Sequence, residues 1–152
     1  MWTYHPELLA QPVPRYTSYP TAADFGALEE GAIERAIAGA DGDVSLYLHI
    51  PFCEKICFYC GCNTGASGKR ARVETYLAAL HQELATVASL LPQGARVRRI
   101  AFGGGSPNAI VPQEFLALVD ALHAHFPLYD PEWSIELDPR SLTPEWSHVV
   151  RR

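Results

Sequence analysis

The 152-residue sequence lacks three features that would assign it to large classes of protein. It has no apolar run approaching the roughly 20 residues that a membrane-spanning helix needs. It has no excess of positive charge, since its net charge is −5, whereas a sequence-independent nucleic-acid binder would be basic. Its first residues, MWTYHP, lack the basic segment leading into an apolar one that marks a signal peptide. We therefore expect a globular protein of the cytoplasm, with neither a nucleic acid nor a membrane as partner.

Cysteine is missing everywhere except in one short stretch. All four cysteines lie between positions 53 and 62, with the spacing C-x3-C-x2-C-x-C. A disulfide framework needs cysteines spread along the chain, so this grouping indicates a metal or cluster site. Cysteine thiolates are the usual ligands of iron–sulfur clusters, and three of them could hold three irons of a four-iron cube. Structural zinc stays open as an alternative, although zinc usually takes four tetrahedral ligands, often as two separated pairs.

The remainder of the chain alternates between strand and helix patterns. Runs in which every second residue is apolar predict strands, and apolar stripes of helical spacing predict helices. Strand followed by helix, three times over, is typical of parallel βα units. The predicted strands span residues 44–50, 97–102 and 133–138, and the predicted helices span residues 71–91 and begin near Pro112 and at Thr143.

The region before the first strand reads differently. Residues 1–23 contain several prolines and no periodic pattern, which predicts an extended arm. A short helix is predicted over residues 28–40, with glycines near its end. We therefore divide the chain into an arm with a short helix, residues 1–43, and a βα domain, residues 44–152.

Polar or glycine-rich segments follow each predicted strand at its carboxyl end, where parallel βα proteins place their chemistry. The cysteines follow the first strand, the run Gly103-Gly104-Gly105 follows the second, and Glu136 lies near the end of the third. A glycine run lets backbone pass close to a ligand, although a flexible turn is the alternative. Glu136 could accept hydrogen bonds from a ribose, although a solvated polar side chain is the alternative.

The spacing Cys53-x3-Cys57-x2-Cys60 resembles the signature of the radical S-adenosylmethionine (radical SAM) superfamily. The strings HIPFCEKICFYCGC, at residues 49–62, and PRYTSYPTA, at residues 14–22, resemble one family within it, the oxygen-independent coproporphyrinogen III oxidases. The resemblance implies that the three cysteines hold a [4Fe-4S] cluster whose fourth iron binds S-adenosylmethionine. It also implies an α/β fold in which this chain supplies the first three βα units of a partial (β/α)6 barrel, as the N-terminal portion of a longer protein.

The same resemblance implies two bound molecules of S-adenosylmethionine. Residues for the first molecule are Tyr47, Gly104 and Glu136, with a packed core tyrosine as the alternative for Tyr47. Residues for the second are Gly105 and Ser106, and Tyr59 matches an aromatic residue near the adenine or the second molecule. Ser106 stands where threonine is common, and it keeps the hydroxyl group.

For the reaction, the resemblance implies that an electron from the reduced cluster cleaves S-adenosylmethionine and that the resulting radical takes a hydrogen from a propionate of coproporphyrinogen III. Loss of carbon dioxide and an electron leaves a vinyl group, and a second round gives protoporphyrinogen IX in haem (porphyrin) biosynthesis. A flavodoxin- or ferredoxin-type protein is the expected electron donor, and Arg15 is a candidate partner for a substrate carboxylate. The fragment alone is expected to be inactive.

Two other functions remain open from the sequence. One is a haem chaperone that keeps the cluster without the oxidase activity, against which Cys62 and the PRYTSYPTA segment argue. The other is a non-catalytic iron–sulfur or zinc-binding module. By the resemblance Cys62 accompanies the cluster without ligating it, as either a small buried thiol or a residue used in turnover.

Overall fold

The computed structural model describes residue 6 and residues 24–58 and 60–151. Tyr59 and the PRYTSYPTA segment with Arg15 lie outside the described residues. The chain divides into two compact units, Met1–Ala32 and Ile33–Arg152. In the first unit, the amide of Ala32 donates to the carbonyl of Glu29 at 3.1 Å, closing a turn. The boundary that the sequence analysis placed between residues 43 and 44 stays a prediction.

The described helices and strands alternate as the sequence predicts. The three longer strands form one parallel sheet in the order β1-β4-β5, so the prediction of parallel βα units is confirmed. No helix in the described part of the chain is long and apolar enough to cross a membrane. In chain order the elements are α1 (Ala32–Ala38), β1 (Asp43–Ile50), β2 (Phe52–Cys53), β3 (Gly65–Ala66), α2 (Arg70–Leu90), β4 (Arg96–Gly104), a 3-10 helix (Pro107–Ala109), α3 (Pro112–His125), β5 (Leu128–Ile135) and α4 (Pro144–Val149).

The third strand is displaced from its predicted position. It spans Leu128–Ile135 rather than residues 133–138, so Glu136 follows the strand instead of lying within it. Pro131 lies within the observed strand, although proline cannot donate to a sheet ladder. The structure accommodates it where the pairing with β4 shifts register, next to Asp130, whose φ is 45°. At a register irregularity the extra residue is not paired with the neighbouring strand, so the missing N–H group of proline breaks no ladder hydrogen bond there.

The core lies between one face of the sheet and the helices α2, α3 and α4. The predicted stripe of α2 is buried at Val73, Leu77, Leu80 and Leu84. Aromatic rings continue the core, with the Phe115 ring 4.9 Å from Phe102 and 5.2 Å from Trp146. Thr143 caps α4, since its side-chain oxygen accepts from the amide of Trp146 at 3.3 Å. Among the described residues, α2, α3 and α4 thus cover this face of the sheet.

The opposite face of the sheet carries small and polar side chains. Because side chains alternate along a strand, the register places three side-by-side rows there. From the amino to the carboxyl ends of the strands, the rows are Ser45-Arg99-Glu132, Tyr47-Ala101-Ser134 and His49-Gly103-Glu136. The last row borders the cysteine loop, so the candidate site occupies the carboxyl edge of this face.

Candidate cofactor site

The cysteine loop is closed at both ends by backbone pairing. After Pro51 ends β1, β2 runs parallel to β3 on the far side of the loop. The amide of Gly65 donates to the carbonyl of Pro51 at 2.7 Å, and the amide of Ser67 donates to the carbonyl of Cys53 at 3.0 Å. These two hydrogen bonds bring the two ends of the cysteine loop together at the end of the strand. No local pattern in residues 63–69 predicts this pairing.

The four cysteines are free thiols in different surroundings. Cys53 is buried on β2, Cys57 is half-buried, and Cys60 and Cys62 are exposed. Hydrogen bonds from the Cys62 backbone amide and from Thr64 lower the pKa of Cys60, whereas the charge of Cys60 raises the pKa of Cys62. The interpretation of Cys62 as a buried thiol is therefore wrong, because the loop carries it to the surface.

The glycine run lies directly against the strand that carries the first cysteine. The amide of Gly105 donates to the carbonyl of Ile50 at 2.9 Å, and the amide of Ser106 donates to the carbonyl of Phe52 at 2.7 Å. A Cβ atom at Gly105 would lie 2.5 Å from the carbonyl oxygen of Phe52, so only glycine permits this approach. The result is a distance of 3.7 Å between the Ser106 hydroxyl and the sulfur of Cys53.

Tyr47 and Glu136 meet over Gly103 on the open face. A Cβ atom at Gly103 would lie 2.9 Å from the Tyr47 hydroxyl and 3.0 Å from Oε2 of Glu136. The amide of Glu136 donates to the carbonyl of Phe102 at 2.9 Å, which extends the ladder beyond β5 and fixes this position. Tyr47 is 60% exposed, so the packed-core alternative for it is wrong. Partial burial and the nearby Glu136 raise the pKa of Tyr47.

Two further polar residues at this edge received no role from the sequence. The ring of His49 lies within 3.3 Å of the Tyr47 hydroxyl and 3.0 Å of the Asn63 carbonyl, and it fills the space beside Gly104. Strand alternation places His49 on the same face as Tyr47, so that signal was present in the sequence. Arg140, by contrast, lies 83 positions from Cys57 and contacts its sulfur at 3.6 Å, which no sequence pattern indicates.

The donor set suits an iron–sulfur cluster. Three thiols belong to one closed loop, and thiolate is the ligand that such clusters prefer. In the part of the chain that the structure describes, no three His, Cys, Asp or Glu side chains are grouped tightly enough to hold a single metal ion. The charges of both Cys60 and Cys53 act on Cys62, so the thiols lie within electrostatic reach of one another. The assignment of Cys53, Cys57 and Cys60 as ligands stays a prediction.

The architecture is that of a known class of enzyme. The chain is similar over 98% of its length to 34% of the solved structure of coproporphyrinogen III oxidase (HemN) from Escherichia coli, a radical SAM enzyme. The TM-score is 0.83 and the sequence identity is 35%. The parallel βα units and the cysteine loop at their carboxyl edge therefore define a radical SAM fold. This class implies an iron–sulfur cluster and S-adenosylmethionine as cofactors.

Sequence comparison narrows the class to a family. No protein-family model matches the chain. An oxygen-independent coproporphyrinogen III oxidase from Mannheimia haemolytica is 42% identical over 129 residues, which are 83% of this chain and 88% of that protein. Oxidases of the same name from Bradyrhizobium diazoefficiens and Escherichia coli are 38% and 40% identical, over 91% and 85% of this chain. The chain belongs to the family of oxygen-independent coproporphyrinogen III oxidases.

The length of chain that is shared differs among these relatives. The chain spans 32% of the Bradyrhizobium protein and 29% of the Escherichia coli protein. The βα units that the structure describes thus correspond to about a third of these longer oxidases. The family and the fold that the sequence predicts are confirmed on this part.

Proposed function

We propose that this chain supplies the cluster-binding and S-adenosylmethionine-binding part of an oxygen-independent coproporphyrinogen III oxidase. The reaction is the oxidative decarboxylation of two propionate side chains of coproporphyrinogen III to vinyl groups, which gives protoporphyrinogen IX in haem biosynthesis. The observation that carries the proposal is the meeting of three loops at one edge of the sheet. There the Cys53 sulfur lies 3.7 Å from the Ser106 hydroxyl, and Glu136 lies beside Gly103.

Cys53, Cys57 and Cys60 are the proposed ligands of a [4Fe-4S] cluster. These three side chains would hold the cluster and would leave it open to S-adenosylmethionine. Cys53 is held on β2, while the lowered pKa of Cys60 favours the thiolate form that a ligand needs. Cys62 is left outside the ligand set.

Backbone and side chains of the neighbouring loops are the proposed contacts of S-adenosylmethionine. Gly104 has a φ of 111°, a conformation that favours glycine. Because glycine has no side chain, none of its own covers this part of the backbone. Glu136 accepts hydrogen bonds from the ribose hydroxyls of the first molecule, with Tyr47 beside it. Gly105 and Ser106 contact the second molecule, and Tyr59 is the proposed aromatic contact outside the described residues.

The chain's own residues bind and orient, whereas the cofactors would supply the chemistry. When bound, the cluster and S-adenosylmethionine would supply a one-electron reductant and a carbon radical, neither of which ordinary side chains provide. The electron donor is a flavodoxin- or ferredoxin-type protein of the cytoplasm. Arg15, outside the described residues, is the proposed cationic partner of a substrate carboxylate.

Anaerobic reconstitution tests the proposal. We expect about four irons and four sulfides per chain, as in a [4Fe-4S] cluster, and an electron paramagnetic resonance spectrum of the reduced protein that changes when S-adenosylmethionine is added. Incubation of the reduced protein with coproporphyrinogen III then tests turnover. Tightly bound zinc with no response to S-adenosylmethionine would identify a non-catalytic module instead. Haem binding without turnover of the porphyrinogen would identify a chaperone.

A further inference from the structure

Three side-chain contacts join the loops after β1, β4 and β5 into a closed ring. The first is the contact between Cys53 and Ser106, which joins the cysteine loop to the glycine run. The second joins Asn108, just beyond the glycine run, to Asp138 in the loop after β5. The third closes the ring, because Arg140 in the loop after β5 reaches back to Cys57. Each of the three loops thus contacts both of the others.

Asn108 fixes the loop that follows β5. It is only 5% exposed and is the buried polar residue of the described core. Its amide group donates to the carbonyl of Asp138 and to the hydroxyl of Ser141, both at 3.0 Å, and its carbonyl oxygen accepts from the amide of Asp138 at 2.9 Å. Both polar atoms of the side chain are therefore used to hold this one loop in place.

Asp138 in turn fixes the guanidinium group of Arg140. Nε and Nη2 of Arg140 donate to the carboxylate at 2.9 Å and 2.7 Å, and the backbone amide of Arg140 donates to it at 2.9 Å. This two-atom arrangement matches the planar fork of arginine to the carboxylate and leaves little freedom of rotation. Nη2 then lies 3.6 Å from the sulfur of Cys57. Asn108 and Asp138 thus hold the guanidinium group of Arg140 beside the Cys57 sulfur.

We propose that Arg140 is a positioning residue of the cluster site, which donates a hydrogen bond to the Cys57 sulfur and thereby raises the reduction potential of the bound cluster. This inference rests on the proposed function, because it requires Cys57 to be a ligand. Hydrogen bonds to the sulfurs and the net charge near a cluster both set its potential. A positive charge and an N–H donor stabilise the reduced cluster more than the oxidised one, because reduction adds negative charge to the site. Arg140 is 56% exposed, so solvent screens part of the effect.

Three variants separate this role from a general change of charge. Arg140→Gln removes the charge and the fork, while Arg140→Lys keeps the charge and loses the fork. Arg96→Gln is the matched control, because Arg96 is also an exposed arginine paired with a carboxylate, that of Asp43 at 2.9 Å, at the opposite end of the strands. The reconstituted proteins are titrated with a reductant while the reduced cluster is followed by electron paramagnetic resonance, and iron content is measured in parallel.

We expect R140Q to lower the equilibrium constant for cluster reduction by about tenfold, which is a shift of about 59 mV to more negative potential for one electron. R140K is expected to fall between R140Q and the wild type, and R96Q to equal the wild type. The inference is overturned if R140Q and R96Q hold equal iron and have the same potential; if R140Q alone loses its iron, the same comparison is made between R140K and R96Q. Failure of the wild-type protein to assemble a cluster would instead refute the proposed function, so the two failures are distinguishable.

Discussion

Replacement of Gly105 by alanine tests the close approach that brings the glycine run to the cysteine strand. The added methyl group would lie 2.5, 2.8 and 2.9 Å from the carbonyl oxygen, the amide nitrogen and the carbonyl carbon of Phe52. All three are backbone atoms, so no side chain can rotate to make room. Phe52 itself is 1% exposed, and its ring packs edge-on against Tyr76 at 5.4 Å, which prevents the strand from retreating.

The expected loss of stability follows from these contacts. Forcing a methyl group into a packed site typically costs about 1–3 kcal/mol. The backbone must also separate at the hydrogen bonds from Gly105 to Ile50 and from Ser106 to Phe52, each worth about 1 kcal/mol. We therefore expect G105A to lower the free energy of unfolding by about 3–5 kcal/mol. Because Ser106 would move away from Cys53, iron incorporation should also fall.

Urea denaturation followed by circular dichroism measures the loss. Gly94→Ala is the matched control, because its Cβ would meet no atom within 4 Å. We expect G94A to remain within about 0.5 kcal/mol of the wild type. If G105A were as stable as G94A and bound as much iron, the close approach at Gly105 would not be needed for folding or for the cluster, and the reasoning would be refuted.

Three other predictions concern the carboxyl edge of the sheet. Cys60→Ser is expected to abolish assembly of the [4Fe-4S] cluster, whereas Cys62→Ser should retain about four irons per chain. Iron analysis and visible absorption measure both variants, and equal iron in the two would contradict the ligand assignment. Glu136→Gln should weaken binding of S-adenosylmethionine by about tenfold in calorimetry, because the glutamine side chain cannot form the charge-assisted hydrogen bond that the carboxylate forms. An unchanged affinity would exclude the ribose contact. Hydrogen bonds from Arg140 hold the pKa of Asp138 below its ordinary value, so the pair stabilises the fold above about pH 4 and loses that contribution as the pH falls further. The stability difference between wild type and Asp138→Asn, followed by urea titration, should therefore shrink on acidification, and a difference that grows would contradict this sign.

The order of the secondary structure could be predicted from the sequence because it depends on local periodicity. The alternation over residues 44–50 gave β1, and the apolar stripe of α2 is buried as expected. The third strand was displaced because Pro131 is unfavourable for a strand in isolation, while a register shift in the sheet tolerates it. Local rules could not reveal that tolerance, since it depends on the neighbouring strand.

Family membership was also readable from the sequence, because the cysteine spacing and its flanking residues are local. The burial of each cysteine could not be predicted in the same way. Cys62 is exposed and Cys53 is buried, although both lie within the same ten positions of the sequence. Burial of a thiol depends on which elements pack over it, and in the folded chain Cys53 lies on β2, which pairs with β3.

By itself the sequence determined the succession of βα units, the grouping of the four cysteines and the family, because each depends on residues close together along the chain. Only the tertiary structure decided which distant residues meet at the carboxyl edge. Asn108 reaches Asp138 and Arg140 reaches Cys57 because parallel pairing brings the ends of three strands to one edge. Contacts between such loops depend on sheet register and loop closure, which no stretch of sequence specifies alone.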